Sequence, residues 1–406
     1  MQARSRPRRL KLPSSPLRFV VVGVCVFEIL LNFGRLFSDS TTWIIFAKVL
    51  VGPDPVRLIG LIDPTVRLRF MLPLLVAPLA LVIDPRWSYA AANAIFWIAG
   101  LVLIYGTSRF LADERIGGIA CVLYSASVSM VAYGASVLTD PAGYFFVGLA
   151  LYSLLGLSKT LPAWHTHLLI GILLTVGGFF HPVGFVGLLY VLVGLLLMRK
   201  LSASFLVGIG LVALLVLPLV AFLGANDLLN VVGKVNPSAR GLTLFSLLME
   251  RRGGPVIDVM EWTYGITGPL DYIANLFHGP EGFVAACRFL VFLAILIVGI
   301  RELKEKKILL GYVPFLSFYL IFVARINIER YFFVLWPIVM FSQAMGIFVI
   351  ARVLTSVIRR RLSYSGGAFY SALTNPSLYA LVYVLAQGLL NSIHLLRQFG
   401  IPWLVQ

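Results

Sequence analysis

The sequence predicts an all-α polytopic membrane protein. Hydrophobic residues make up 60% of the 406-residue chain and charged residues 12%, and a water-soluble fold of this size cannot bury so much apolar surface. Apolar runs of about 17 to 25 residues, the length that a helix needs to cross a hydrocarbon core of about 30 Å, recur from residue 19 to the C-terminus. The alternation of polar and apolar residues that is typical of strands does not occur.

About eleven apolar segments are predicted to form membrane-spanning helices. They cover residues 19–37, 87–108, 116–137, 141–158, 165–180, 182–198, 203–223, 284–300, 308–324, 331–351 and 376–396. The arginine-rich residues 1–18 precede the first span without a small-residue cleavage site, so we expect a basic cytoplasmic N-terminus that is retained. Residues 19–406 are predicted to form a single transmembrane domain.

The apolar run from 70 to 83 decides the predicted topology. It is only about fourteen residues long and contains Pro73 and Pro78, which favours a helix at the membrane surface over one that crosses. If this run does not cross and the N-terminus is cytoplasmic, the basic segments 301–307 and 352–361 lie on the cytoplasmic side, as the positive-inside rule requires. The net charge of +16 is then explained by basic residues on the cytoplasmic side and does not indicate nucleic-acid binding.

Two carboxylates stand out on the predicted outer side, which also carries the long loops 38–86 and 224–283. Asp39 follows the first span, and Asp140 lies where the fourth span begins, in TDPAGYFF. Carboxylates at membrane level are what a group-transfer reaction needs as general base and supporting acid. The alternative is that each one caps a helix, since Asp140 is followed by Pro141 at a helix start.

A basic and aromatic segment, VARINIERYFFVLWP, lies on the outer side beside the tenth predicted span. It contains Arg325, Glu329, Arg330 and Tyr331. Arginine suits a lipid phosphate because its guanidinium offers forked donors while its stem stays in apolar surroundings. Arg69 in the first outer loop is a similar candidate. The alternative is that these side chains only fix the helices at the membrane interface.

His181 lies on the predicted outer turn between the fifth and sixth spans, where it either helps to bind a phosphate or caps a tight turn. Nucleotide-binding motifs are missing, because GLSKT at 156–160 lacks the spacing of a phosphate-binding loop. The three cysteines show no metal-ligand spacing. We therefore expect no required cofactor, and nothing in the sequence indicates a divalent cation.

Three motifs together resemble the GT-C superfamily of integral-membrane glycosyltransferases, in particular the branch of protein O-mannosyltransferases and lipid A aminoarabinose transferases. The motifs are Asp39-Ser40 followed by Trp43 and Ala47, Thr139-Asp140-Pro141 before an apolar helix, and Glu329-Arg330-Tyr331 running to Trp336-Pro337. The run with Arg69, Pro73 and Pro78 matches that family's proline-containing juxtamembrane helix. The chain departs from the family in having one acid, Asp39, where many relatives have an Asp-Glu pair, and in having Trp43 where tyrosine is common.

The resemblance implies that a sugar is transferred, with inversion, from a polyprenyl phosphate to a hydroxyl of a lipid, glycan or protein on the outer side. Asp39 would act as the general base, and Asp140 would orient the acceptor or a basic side chain. Arg330, with Arg325 or Arg69, would neutralise the phosphate. Further site residues would be His181, Tyr331, Trp43 and Glu329.

The implied partners are the lipid-linked sugar donor and membrane lipids, and the implied location is a prokaryotic plasma membrane. An alternative from another class is a flippase or transporter of lipid-linked sugars. It would also have many spans and phosphate-facing arginines, but ionisable residues would then be expected at mid-membrane, where Glu28 is almost alone.

Overall fold

A computed structural model shows a bundle of helices. The residues that it describes are 17–36, 40–54, 58–59, 62, 67, 69–125, 134–159, 164–233, 280–315, 336–361, 370–371 and 374–399. Within these ranges the backbone forms helices and connecting turns, without a β-strand. The all-helical fold class that the composition predicts is therefore confirmed for the described part of the chain.

The helices are numbered here in chain order. They are α1 (Leu17–Asn32), α2 (Ser40–Leu50), α3 (Met71–Val76), α4 (Pro85–Leu111), α5 (Glu114–Ser125), α6 (Asp140–Lys159), α7 (Trp164–Phe180), α8 (Val183–Leu197), α9 (Ala203–Gly233), α10 (Pro280–Glu302), α11 (Lys306–Leu310), α12 (Trp336–Arg361) and α13 (Pro376–Phe399). A 3-10 turn, Leu79–Leu81, lies between α3 and α4.

Local sequence explains where some helices begin. Asp84 precedes α4, its Oδ1 accepts a hydrogen bond from the backbone N–H of Arg86 at 2.8 Å, and Pro85 occupies the first turn. Asp113 precedes α5 in the same way and accepts from the backbone N–H of Arg115 at 2.9 Å. Each carboxylate accepts from an N–H group that has no partner within its helix. Its negative charge also interacts favourably with the positive end of the helix dipole.

Two of the described helices, Pro85–Leu111 and Pro337–Arg361, are long and apolar enough to cross a membrane. Shorter apolar helices are Phe19–Asn32, Ser40–Leu50, Trp164–Phe180, Val183–Leu197, Ala203–Leu219 and Pro376–Ala386. Together with the composition, these helices indicate a membrane protein. The predicted number of about eleven spans is not confirmed by the described helices.

Several predicted spans differ from the helices that form. The span predicted at 203–223 continues as α9 to Gly233, so the first part of the predicted outer loop 224–283 is helical. Residues 134–137, the end of the predicted span 116–137, form turns and bends, because their backbone groups bond to the α1–α2 connection, to Ser40 and to the Asn93 side chain instead of to one another. The helix predicted at 331–351 continues to Arg361. The basic stretch 352–361, predicted as a loop, is therefore the last part of α12.

The helix ends sort into two groups. At one end, which we call the Asp140 end, Gly34 after α1 donates its backbone N–H to Ala135 O at 2.9 Å, and Arg86 Nε in α4 donates to Gly34 O at 2.8 Å. At the opposite end, Lys304 after α10 donates its N–H to Leu111 O, the last residue of α4, at 2.7 Å.

The run from 70 to 83 forms α3 and the 3-10 turn rather than one long helix. It starts beside Arg69, which contacts Thr139, and it ends just before Arg86, which contacts Gly34, so both of its ends lie at the Asp140 end. The run therefore enters and leaves the bundle on the same side.

Close helix crossings use glycine. A Cβ atom on Gly299 of α10 would fall on the backbone of Ser342 in α12, and one on Gly346 of α12 would fall on Ile295. Without side chains at these positions, the backbones approach closely and gain van der Waals contact, which is the main attraction between helices in lipid.

Candidate active site

The six residues before Asp140 are fixed by the buried side chain of Asn93 in α4. Asn93 Nδ2 donates to Ser136 O at 2.6 Å and to Leu138 O at 2.8 Å. These carbonyl groups lie in a non-helical segment and are buried away from water, so a side-chain donor replaces the partners that a helix would supply. The start of α6 is thereby attached to α4.

The connection from α1 to α2 pairs with the same segment. Gly34 N donates to Ala135 O at 2.9 Å, and Val137 N donates to Arg35 O at 3.0 Å. Ser40, the first residue of α2, donates from Oγ to Val137 O at 2.9 Å. The chain on both sides of residues 37–39 is thus bonded to the segment that leads into Asp140.

Gly34 is required at this pairing for two reasons. Its φ of +73° lies in the left-handed region, which side chains disfavour. In addition, a Cβ atom at Gly34 would come within 2.9 Å of two ring atoms of Trp87. The Trp87 ring stacks on Phe33 with centroids 5.9 Å apart and an interplanar angle of 7°, so it has little freedom to move aside.

Asp140 faces His181, which lies in the turn between α7 and α8. His181 Nε2 is 4.0 Å from Asp140 Oδ1, and both side chains are 0% exposed. His181 Nδ1 accepts a hydrogen bond from the backbone N–H of Val183 at 3.3 Å. A ring nitrogen that accepts is unprotonated, so in the neutral imidazole the proton is on Nε2, the nitrogen that faces the carboxylate.

The imidazole fits against α6 because residue 143 is glycine. A Cβ atom on Gly143 would lie 3.0 Å from both Cγ and Nδ1 of His181. Gly184, at the start of α8, donates its backbone N–H to His181 O at 2.8 Å. The ring is held between the first turn of α6 and the first turn of α8.

Arg69 brings a positive charge to the start of α6. Its Nη1 lies 3.5 Å from the Oγ1 of Thr139, the residue before Asp140. The next residue, Phe70, packs against Phe179 near the end of α7, with ring centroids 5.4 Å apart. The packing fixes the backbone from which Arg69 projects.

Trp43 lies one helical turn after Ser40 in α2 and is buried, with 2% of its surface exposed. Its backbone carbonyl accepts from the Tyr89 hydroxyl of α4 at 2.9 Å. Trp43 therefore belongs to the packed core that supports the pairing of the α1–α2 connection with residues 134–139.

A small cavity of about 20 Å³ lies one helical turn below Asp140. Tyr144 of α6, Tyr124 of α5 and Thr107 of α4 line it together with Pro337 and Phe341 of α12. The α6 residues that line it run from Tyr144 to Leu151, so the first turn of α12 lies next to the part of α6 that begins one turn after Asp140.

The structure brings three of the sequence-predicted site residues together, namely Asp140, His181 and Arg69. Asp39, Arg325, Glu329, Arg330 and Tyr331 lie outside the described residues. In the described part of the chain no group of three or more His, Cys, Asp or Glu side chains is arranged to hold a metal ion.

Sequence reasoning missed Asn93 and Gly143. Asn93 carries a detectable signal, since it is a polar amide within the apolar run predicted to span 87–108. A buried polar group in such a run requires a partner, and in the structure that partner is the backbone before Asp140. Gly143 carries no such signal, because only the position of His181 makes its missing side chain necessary.

Comparison by sequence with protein families and with curated proteins finds no match. Comparison of folds finds ArnT from Cupriavidus metallidurans, solved in the apo state, with a TM-score of 0.53 and 11% identity over 95% of this chain and 76% of ArnT. ArnT is a lipid A aminoarabinose transferase with a GT-C fold. The fold of this chain is therefore similar to that of a lipid A aminoarabinose transferase, one of the two groups of enzymes that its motifs resemble. At 11% identity, the similarity is one of fold alone.

Proposed function

We propose that the protein is a membrane glycosyltransferase that moves a sugar from a polyprenyl phosphate to an acceptor hydroxyl at the Asp140 end of the bundle. The proposal rests on one observation above all. In a fold similar to that of ArnT, the backbone pairing between residues 34–35 and 135–137 joins the two segments that carry the sequence-predicted carboxylates, Asp39 and Asp140.

Asp39 is the proposed general base. Its neighbour Ser40 bonds to Val137 O at 2.9 Å, three residues before Asp140. Covalent connection therefore keeps Asp39 close to the Asp140 segment, since consecutive Cα atoms are about 3.8 Å apart. That proximity supports a shared site for the two carboxylates.

The proposed binding site for the donor phosphate contains Arg69 and Arg330. Arg69 already lies beside Thr139. Arg330 precedes Pro337 in the sequence by seven residues, which span at most about 25 Å. Pro337 lines the same cavity as Tyr144, one turn after Asp140, so Arg330 is within chain reach of the site.

In the proposed reaction the acceptor oxygen attacks the anomeric carbon while the bond from that carbon to the phosphate oxygen breaks. The bonding electrons leave with the polyprenyl phosphate, whose charge is neutralised by the arginines. The acceptor proton moves to the Asp39 carboxylate. Attack opposite to the leaving group inverts the configuration of the sugar.

Asp140 and His181 have a positioning role in this proposal. The Nδ1 bond with Val183 N fixes the His181 tautomer, so that Nε2–H faces Asp140. Both side chains are fully buried, and an N–H dipole that faces a buried carboxylate offsets part of the desolvation that penalises its charge. The pair then presents a fixed carboxylate to an acceptor hydroxyl or to Arg69.

The decisive test is release of polyprenyl phosphate by the purified protein from a panel of polyprenyl-phosphate sugars. We expect Asp39→Asn to lower kcat by about 10²- to 10⁴-fold, the usual contribution of general-base catalysis. Asp54→Asn is the matched control, because Asp54 is an exposed carboxylate in the same outer segment.

Near-complete activity of Asp39→Asn would refute the assignment of the base. If the wild-type protein moves lipid-linked sugars across vesicle membranes without releasing polyprenyl phosphate, the protein is a flippase or transporter, and the enzyme proposal fails.

A further inference from the structure

A cleft lies at the opposite end of the bundle from Asp140. Four helices, α1, α5, α12 and α13, surround a cleft of about 590 Å³ there. Its lining is Val20, Arg115, Ile119, Arg359, Ser371, Thr374, Asn375, Pro376, Ser377, Leu378 and Leu381. The volume is in the range of sites for small ligands.

Two guanidinium groups give the cleft a positive charge. Arg115 lies in the first turn of α5 and Arg359 in the last turn of α12, and both side chains are exposed. Among the described residues neither forms an ion pair. The acids nearest to Arg115 in the sequence have other partners. Asp113 caps α5, and Glu114 lies 3.4 Å from Arg109.

The start of α13 contributes polar groups to the same cleft. Asn375 precedes the helix, and its Oδ1 accepts from the backbone N–H of Ser377 at 3.0 Å. The hydroxyl groups of Ser371 and Ser377 also line the cleft. The positive end of the α13 dipole therefore adds to the charge of the two arginines.

The remaining wall is apolar. Val20 of α1, Ile119 of α5, and Leu378 and Leu381 of α13 line the cleft beside the charged groups. Leu378 is 42% exposed. A ligand that fills both parts has an anionic head and an apolar body, which is the chemistry of an anionic phospholipid.

We propose that this cleft binds the phosphate of an anionic glycerophospholipid from the leaflet opposite the active site. Arg115 and Arg359 contact the phosphate, the α13 N-terminus lies beside it, and the acyl chains leave along Leu378 and Leu381. Charge complementarity favours an anionic lipid over the basic N-terminal segment, residues 1–18, as the occupant of the cleft. That segment carries charge of the same sign as the cleft and is repelled by it, whereas an anion is attracted.

The test uses the full-length protein in neutral detergent and measures lipid binding by native mass spectrometry. We expect wild-type protein to bind phosphatidylglycerol in preference to phosphatidylcholine. The double variant Arg115→Gln/Arg359→Gln should bind phosphatidylglycerol at least about tenfold more weakly, because each basic residue near an anionic lipid contributes several-fold to affinity.

The matched control is Arg301→Gln/Arg352→Gln, which removes the same charge at the same end of the bundle outside the cleft lining. We expect this variant to bind within about twofold of wild type. Equal losses in both double variants, or no loss in the cleft variant, would overturn the proposal.

Two competition experiments identify the source of the phosphate. Inorganic phosphate that displaces the lipid at equal concentration would show a site for a free anion, and stronger competition by polyprenyl phosphate than by phosphatidylglycerol would show a product site. Either result overturns the phospholipid proposal. Since binding is measured without donor or turnover, its outcome is independent of whether the protein transfers sugar.

Discussion

At the scale of single residues, the feature that matters most is the fully buried pair of Asp140 and His181. The sequence offers two interpretations for each residue: Asp140 either caps a helix or supports the transfer reaction, and His181 either caps a tight turn or helps to bind a phosphate. In the structure, His181 Nδ1 accepts a hydrogen bond from the backbone N–H of Val183 at the start of α8, while Nε2 faces the carboxylate. The cap orients the ring, and because Nδ1 accepts, the proton of the neutral imidazole is on Nε2, which lies 4.0 Å from Asp140 Oδ1.

Gly143 tests the importance of this orientation. The change Gly143→Ala places a Cβ atom 3.0 Å from the imidazole. We expect the displaced ring to lower kcat at least about tenfold, since small displacements of the groups that position the reactants are costly. The measurement is release of polyprenyl phosphate at saturating donor, with thermal unfolding as the check on folding.

Gly148→Ala is the matched control for that change. Gly148 lies in the same helix, but a Cβ atom there would meet Leu103 at 3.6 Å, an ordinary contact. If the Gly143 and Gly148 variants are equally active, the position of His181 does not affect the reaction.

Arg69 gives a second prediction at this scale. Removal of its charge by Arg69→Gln should raise the donor KM by about 10- to 100-fold and change kcat less, because a charged hydrogen bond to a phosphate is worth about 1.5–3 kcal/mol. Arg67→Gln is the control, since Arg67 is a half-buried arginine in the same segment. A fall in kcat without a change in KM would contradict a role in donor binding.

At the scale of elements, the segment 134–139 shows how tertiary contacts override a local preference. Its apolar sequence predicts the end of a helix, yet it forms turns whose carbonyl groups accept from Asn93 and Ser40. Buried side-chain donors make this possible, because the backbone groups that leave the helix still find partners.

Asn93→Leu tests this attachment. The change removes both bonds to the segment, and we expect a loss of about 1–3 kcal/mol in the free energy of unfolding, because two buried carbonyl groups lose their donor. Hydrogen exchange in residues 134–139 should also accelerate.

Ser153→Ala is the control for Asn93→Leu. Ser153 is also buried, but its Oγ bonds only to Leu149 O of its own helix at 2.6 Å, so exchange in 134–139 should stay unchanged. Unaltered exchange in the Asn93 variant would show that the helices α4 and α6 hold the segment without the amide.

At the scale of the whole molecule, the sorting of helix ends supports the predicted topology. The run 70–83 enters and leaves at the Asp140 end, and the basic stretch up to Arg361 lies at the opposite end with Arg115. The orientation that we propose puts the Asp140 end outside the cytoplasm, because positive residues favour the cytoplasmic side.

Cysteine labelling tests this orientation. In a Cys287→Ser background, where the two remaining cysteines, Cys25 and Cys121, are buried, we expect Asp54→Cys to react with a membrane-impermeant maleimide in intact cells. Lys304→Cys should react only after permeabilisation. The reverse pattern would show that the proposed active site faces the cytoplasm.

The sequence alone determined the helical membrane class and the candidate side chains at the Asp140 end. It could do so because hydrophobicity is a local property and ionisable groups stand out in an apolar chain. Only the tertiary structure decided that Asp140 lies against His181, that Asn93 fixes the preceding segment and that Arg115 and Arg359 share a cleft. These pairs join residues far apart in the chain, and packing between helices, which no local pattern encodes, determines which of them meet.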